Sequence, residues 1–321
     1  MSPLLRMRVA ARWQAAEGID AFELAPADPA HTLPPYEAGA HVDVHLPNGH
    51  VRQYSLCGKP GIGNRYRIAV LKEEQGRGGS RCLHDTVAVD ATLAISAPRR
   101  ACRLQSRDGI KVLFAGGVGI TPILAMAYEL LGRGEPFELH YFARTRARAA
   151  FLDELLAPPL AQAASLHLDD ESAPGAPPAL DAALRALPAD GELYACGPAG
   201  FLDRISGWWQ REGLAPERFH FESFVPAAPS GDGAPFEVEV ASSGLRVTVA
   251  PQETVVEALA RCGVEVPVSC EQGICGTCLT GIKEGIPEHR DQYLTEQEHA
   301  ANQCFTPCCS RARSPRLVLD L

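Results

Sequence analysis

The chain has 321 residues, too many for one small core and enough for two or three domains. Hydrophobic residues make up 46 % and charged ones 21 %, ordinary values for a globular protein, and no run of 18 apolar residues offers a membrane-spanning helix. A net charge of −9 argues against a nucleic-acid backbone as partner.

The opening "MSPLLRMRVAARW" lacks the apolar core and small-residue cleavage site of a secretory leader, so a cytoplasmic location is expected. In that compartment the eleven cysteines are expected as thiols or metal ligands. Residues 1–103 hold short alternating strands with turn signals ("HVDVHL", "PNG", "RQYSL", "YRIAVL") and predict an antiparallel β-barrel. Residues 104–226 alternate apolar strands ("KVLFAG", "FELHYFA", "ASLHL", "ELYAC") with helical stretches, the order of an α/β parallel-sheet domain. "VPAAPSGDGAP", 225–235, is rich in Pro, Gly and Ala and reads as a tether, with 227–235 as the linker proper. Residues 236–321 give two strands, a helix ("TVVEALARCG"), a cysteine loop and a late strand, an α+β domain. From Gly233 onward seven basic and twelve acidic residues leave a net charge of −5: either a solvated surface or a docking face for a basic partner.

Within the first segment, "RQYSL" places Arg52 and Tyr54 on one face of a strand. Arg52 can grip a phosphate with its fork of donors, Tyr54 can pack against an aromatic cofactor, and Ser55 can bond its polar edge. A plain amphipathic strand would look similar. "GRGGSRCLHD", 76–85, adds a glycine turn with Ser80 as the expected helix N-cap, an anion nest suited to a terminal phosphate unless it is simply a surface loop.

In the second segment, "KVLFAGGVGITPILAMAYELL" is strand, glycine turn and helix. Gly116, Gly117 and Gly119 let a pyrophosphate approach the backbone at a helix N-terminus. The pattern is not G-x-G-x-x-G, and Arg144 follows the next strand where an acidic ribose ligand would be expected. A second loop, Cys196-Gly197-Pro198, ends another strand and opens a helix, so a nicotinamide dinucleotide laid across both loops is expected. Cys196 could equally be a small buried apolar residue.

The most specific signal is "CEQGICGTC". Cys270, Cys275 and Cys278 have the C-x4-C-x2-C spacing of a plant-type 2Fe–2S site, with Gly273 and Gly276 allowing tight turns. The fourth thiolate must come from a distance, and of the adjacent pair Cys308 and Cys309 one is expected to reach the cluster. A four-cysteine zinc site is the alternative, disfavoured because its second C-x2-C hook is missing. Cys262 and Cys304 read as bystanders. A hydride donor beside a one-electron acceptor requires a converter between them. Flavin fits, and the terminal-phosphate nest favours FMN over FAD.

Taken in order, "GAHVDVHLPNGHVRQYSLCG", "GRGGS", "AGGVGITPILAMA", "YACGP", "FHFESF" and "CEQGICGTCLT…PCCSRA" resemble the phthalate dioxygenase reductase family, with vanillate demethylase reductases as close relatives, over nearly the whole chain. The resemblance implies an FMN barrel, an NAD domain of ferredoxin-reductase type and a C-terminal β-grasp ferredoxin domain. It implies that Arg52, Ser80 and the amides of Gly78 and Gly79 hold the FMN phosphate, and that Tyr54, Ser55 and the strand Ala69, Val70, Leu71, Lys72 meet the isoalloxazine. Gly116, Gly117, Gly119, Thr121, Pro122, Cys196, Gly197 and Pro198 would seat the dinucleotide. Ser55, Thr121, Cys196 and Phe224 would line the hydride-transfer position, with Phe224 covering the flavin unless it is a core anchor, and no acid–base residue is implied. "CCSRA" aligns with C-x-S-R-A, which makes Cys308 the fourth iron ligand beside Cys270, Cys275 and Cys278, and Cys309 the variable residue. NADH is the implied donor, although Arg144, Arg146 and Arg148 form either a 2′-phosphate site or an exposed basic run. The implied function is electron transfer from NADH through FMN and the 2Fe–2S cluster to a separate Rieske oxygenase that docks near the acidic ferredoxin domain, the reductase being a monomer. A reductase serving a cytochrome P450 and a zinc-stabilised binding protein are the rival readings.

Overall fold

The computed structural model describes residues 4–61, 63–76, 78–100, 102–105, 109–171, 178–224, 233–268, 271, 273, 276–291 and 293–321. The chain forms two compact units, Met1–Phe224 and Val225–Leu321.

The first unit opens with β1 (Leu5–Ala16), β2 (Ile19–Pro26), β3 (Ala40–His45), β4 (Val51–Ser55), β5 (Tyr66–Leu71), helix α1 (Gly79–Thr86), β6 (Thr92–Ile95) and β7 (Arg99–Arg100). These strands make one sheet in the order β4-β3-β6-β1-β2-β5, with β7 on β3, and every pairing is antiparallel. Just beyond β4, Leu56 bridges Ile68 of β5 and curls the sheet back on itself. Alternation fills the inside: Val42 and Val44 of β3, Phe22 and Leu24 of β2 and Ile68 and Val70 of β5 meet in one apolar cluster, with Cys82 and Leu83 of α1 closing it.

Then come β8 (Lys111–Gly116), α2 (Ile120–Arg133), β9 (Phe137–Ala143), α3 (Leu152–Leu155), β10 (Ala164–Leu168), α4 (Ala179–Arg185), β11 (Glu192–Gly197), α5 (Ala199–Arg211) and β12 (Phe219–Ser223). They form a parallel sheet in the order β10-β9-β8-β11-β12. Every residue of β8 and β11 is buried, as expected for central strands covered on both faces. Period two divides β8: Leu113 and Ala115 face Ile123 and Leu124 of α2, while Val112 and Phe114 face Leu202, Ile205 and Trp209 of α5. Ala16, Ile19, Ala21 and Ala69 of the antiparallel sheet belong to the same cluster as Leu113 and Ile123, so both sheets pack as one body. At the amino ends of β8 and β11, Lys111 and Glu192 form a buried ion pair at 2.8 Å, and His220 Nε2 lies 2.8 Å from the other carboxylate oxygen.

The second unit contains β13 (Phe236–Val240), β14 (Leu245–Val249), α6 (Val255–Arg261), β15 (Thr280–Glu284), β16 (Pro287–Glu288), α7 (Glu296–Ala301), β17 (Cys304–Phe305), β18 (Arg311–Ala312) and β19 (Arg316–Leu319). Its main sheet runs β14-β13-β19-β15-β17, with β13 and β19 parallel and the other pairs antiparallel. Val255, Ala258 and Leu259 of α6 pack on Val238, Val249 and Leu317, the β-grasp arrangement. Capping boxes start both helices: Thr254 with Glu257, and Thr295 with Glu298. Among the described residues no helix is long and apolar enough to cross a membrane.

Candidate functional site

The first site grows from β4 and α1. Arg52 lies opposite Val44 and Tyr54 opposite Val42, and Tyr54 is partly buried against the barrel core. Ser80 is not the N-cap that its sequence position predicts. The cap is Gly78, at φ 90°, with no side-chain cap bond, and the Ser80 hydroxyl accepts the Glu73 N–H instead. A positive φ suits glycine, so the chain bends at Gly78 and the helix starts one residue before Ser80. A Cβ on Gly79 would stand 2.7 Å from Arg52 Cγ and 2.9 Å from Arg52 Nε. The bare glycine therefore lets the arginine lie across the uncapped helix start, where unpaired N–H groups and a guanidinium converge. This cradle fits a phosphate.

Along β5 the side chains divide. Ala69 and Leu71 face the cluster shared with α2, whereas Val70 turns into the barrel core. Lys72 holds Asp85 at 2.8 Å on the surface.

The second site lies at the carboxyl ends of β8 and β11. A Cβ on Gly119 would fall 2.2 Å from the carbonyl oxygen of Cys196 and 2.7 Å from the nitrogen of Gly197, so only glycine lets the two loops touch. Gly116 packs against Pro198 in the same place. Thr121 is buried in the first turn of α2 and donates to the Val118 carbonyl at 3.0 Å; Pro122 is buried beside it. Cys196 is buried and its thiol is pushed up by desolvation, then by the nearby Glu222 charge. Phe224 follows β12 and packs on the cluster shared by the two sheets. Arg144 is exposed just past β9, while Arg146 pairs with Glu171 at 3.2 Å and Arg148 with Glu17 at 3.3 Å.

Between these sites sits a residue the motif reading passed over. Glu222 of β12 is buried, accepts the Ser55 hydroxyl at 3.3 Å through Oε1, and leaves Oε2 without a hydrogen-bond partner. Desolvation raises its carboxyl to about 7, partly opposed by the Ser55 bond. The signal was present in "FESF", but burial of its acidic member is not readable from four letters.

In the second unit Cys278 and Cys308 are buried, and their thiols lie within hydrogen-bonding reach of each other. Contact with Cys278 is the main cause that pushes the Cys308 thiol up; Cys309 is the second. Two buried sulfurs held in contact fit thiolates that share a metal centre. The Cys309 sulfur also lies 3.2 Å from the Thr306 hydroxyl and packs where a Cβ on Gly273 would come within 2.4 Å of it. The Tyr293 ring covers Gly276. Cys270 and Cys275 lie outside the described residues. Of the C-x-S-R-A residues, Ser310 accepts the Arg290 N–H at 3.1 Å, and buried Arg311 donates to the carbonyls of Glu253, Ala234 and Ala250 while its guanidinium lies 5.1 Å from the Phe236 ring centre.

Residues 238–313 match the family of 2Fe–2S iron-sulfur cluster binding domains, which removes the zinc-stabilised binding protein from consideration. The chain is 46 % identical to the vanillate O-demethylase oxidoreductase of Pseudomonas sp. (strain HR199 / DSM 7063), over 99 % of this chain and 100 % of that one. The solved phthalate dioxygenase reductase, described as a modular structure for electron transfer from pyridine nucleotides to 2Fe–2S, superposes with a TM-score of 0.70 at 35 % identity, covering 99 % of this chain and 98 % of that one. An intact type IV self-sufficient cytochrome P450 monooxygenase superposes with a TM-score of 0.83 at 34 % identity, over 99 % of this chain and 41 % of that one. The cofactors are FMN, NAD(H) and a 2Fe–2S cluster. With this fold, these sites and near-identical length to its relative, the chain belongs to the phthalate dioxygenase reductase and vanillate O-demethylase reductase family, the electron-transfer reductases of oxygenase systems.

Proposed function

We propose that the oxygenase served by this reductase is a Rieske non-haem iron enzyme acting on a small aromatic ether or acid, with NADH as the donor. The observation that carries this reading is likeness to a vanillate O-demethylase oxidoreductase across the full length of both chains.

The residues divide the work as follows. Arg52, Ser80 and the amides of Gly78 and Gly79 hold the FMN phosphate at the start of α1, and Tyr54, Ser55 and the strand Ala69–Lys72 meet the ring system, Val70 through its backbone. Flavin, when bound, supplies the change from a two-electron donor to a one-electron acceptor. The loops Gly116–Gly119 and Cys196–Pro198, with Thr121 and Pro122, seat the dinucleotide, and their contact at Gly119 fixes the spacing between them. Glu222 holds a proton at its carboxyl near neutral pH and can exchange it along the Ser55 hydroxyl. Phe224 shields the same corner. Arg146 and Arg148 are engaged by glutamates, which leaves Arg144 as the candidate contact for the adenosine end and supports NADH over NADPH. Cys278 and Cys308, with Cys270 and Cys275, hold the iron.

Docking is assigned to the acidic second unit, where Leu279 and Tyr293, 41 % and 42 % exposed, flank the cluster loop. We read residues 1–103, 104–226 and 236–321 as the flavin, NAD and ferredoxin domains of a cytoplasmic monomer. The test is reconstitution: NADH-driven demethylation by a purified vanillate-type Rieske oxygenase should depend on this protein and on its residues after Pro226. Turnover of a cytochrome P450 without turnover of the Rieske enzyme would favour the second reading, which the overlap with the self-sufficient P450 supports.

A further inference from the structure

In the second unit, His289, Asp291 and His299 bring their ligand atoms within 4.8 Å of one another. None of the three is assigned to the cluster. The Asp291 side chain is fully buried, His289 is nine-tenths buried, and His299, on α7, is 30 % exposed. Asp291 Oδ2 accepts the N–H groups of Leu294 at 2.8 Å and Tyr293 at 3.2 Å, which fixes the carboxylate and aims Oδ1 at the two imidazoles.

The distances suit a shared cation. His299 Nε2 is 3.3 Å from both carboxylate oxygens, and His289 Nδ1 is 3.6 Å from Oδ1 with no hydrogen-bond partner. Imidazole and carboxylate bonds to zinc of about 2.0–2.1 Å set neighbouring donors about 3.3 Å apart on a tetrahedron. The tautomer points the same way. His289 Nε2 is 3.3 Å from Asn302 Oδ1; in the tautomer whose Nε2–H donates there, Nδ1 presents a lone pair to the carboxylate. A cation between these two facing acceptors would satisfy both in their buried place. The His289 and His299 rings stack at 4.3 Å between centroids, an arrangement that two imidazolium charges would oppose.

We propose that His289, Asp291 and His299 form a binding site for a divalent cation of the zinc class, with Asn302 as the outer partner that fixes the His289 tautomer and the exposed edge of His299 as the entry. The site backs onto the cluster loop, because a Cβ on Gly273 would lie 2.9 Å from Asp291 Cα. It is independent of which oxygenase the reductase serves.

The test uses the iron-replete holoprotein carrying Cys262→Ser, which removes an exposed thiol. Zn²⁺ alone is titrated calorimetrically while the visible cluster absorption is monitored. One equivalent should bind with the cluster unchanged. His299→Ala should weaken binding at least tenfold, and Asn302→Gly, which suits that residue's left-handed backbone (φ 51°), should weaken it about tenfold. X-ray absorption at the zinc edge should show nitrogen and oxygen neighbours only. If His299→Ala folds poorly, His289→Gln serves as the second variant with the same expectation. Absence of saturable binding, binding by both histidine variants as tight as by the unsubstituted pair, or sulfur neighbours at zinc would overturn the proposal.

Discussion

Ser55 at the end of β4 and Glu222 on β12 meet through a 3.3 Å hydrogen bond although 167 residues separate them in the chain. The contact joins the antiparallel sheet to the parallel one at the corner where the proposed flavin and dinucleotide sites converge. It buries a carboxyl whose second oxygen has no partner.

The raised Glu222 carboxyl gives a signed pH effect. Its folded value of about 7 exceeds the ordinary 4.5, so the stabilisation is complete below pH 4.5 and is lost as pH rises through 7. That difference corresponds to about 3 kcal/mol at most. Melting temperature of the wild type should fall between pH 5 and pH 8 more steeply than that of Glu222→Gln. Stopped-flow flavin reduction by NADH should show an apparent pKa near 7 in the wild type that disappears in the variant. Parallel profiles for the two proteins would remove Glu222 from proton handling.

Gly79→Ala should push Arg52 off the start of α1, because the added methyl carbon would sit 2.7 Å from its Cγ. The side chain can move, so the fold should survive with a melting temperature within a few degrees of wild type. FMN affinity, read by flavin fluorescence on dilution, should drop at least tenfold.

The adjacent cysteines can be separated chemically. Cys308→Ser should lose the cluster, with iron and acid-labile sulfide well below two per chain. Cys309→Ser should keep both, since the Cys309 sulfur has the Thr306 hydroxyl for a neighbour. The reverse result would exchange their roles.

Lys111 and Glu192, each 2 % exposed at the side chain, pair at the end of the parallel sheet remote from the dinucleotide loops. Lys111→Met leaves the buried carboxylate with His220 but no permanent cation and should cost about 3–5 kcal/mol in urea unfolding. The double variant with Glu192→Met should recover much of that loss. NADH affinity of whatever folds should be unchanged.

Much of the molecule is legible from consecutive residues. Alternation in "HVDVHL" and "YRIAVL", unbroken apolar runs in "KVLFAG" and "ELYAC", and the Thr-x-x-Glu box that opens "TVVEALAR" each name an element by its own local pattern. The phosphate cradle was half legible. Arg52 and the glycine turn were visible, but the helix cap was assigned to Ser80 because serine is a common cap, and the left-handed Gly78 took that role. The division of Ala69 and Leu71 from Val70 depends on which face of β5 the second sheet covers, and no letter in the strand states that.

Sequence alone determined what backbone and ligand chemistry write locally: cysteines at 270, 275 and 278 at cluster spacing, glycines where loops must touch, and the order of flavin, dinucleotide and cluster segments. Tertiary structure decided which of Cys308 and Cys309 has Cys278 for its main neighbour, that Glu222 is buried against Ser55, and that two histidines ten residues apart stack beside Asp291. The reason is physical. Turn geometry and metal spacing are properties of a few neighbouring residues, whereas burial and the partner of a polar atom are set only when distant elements pack.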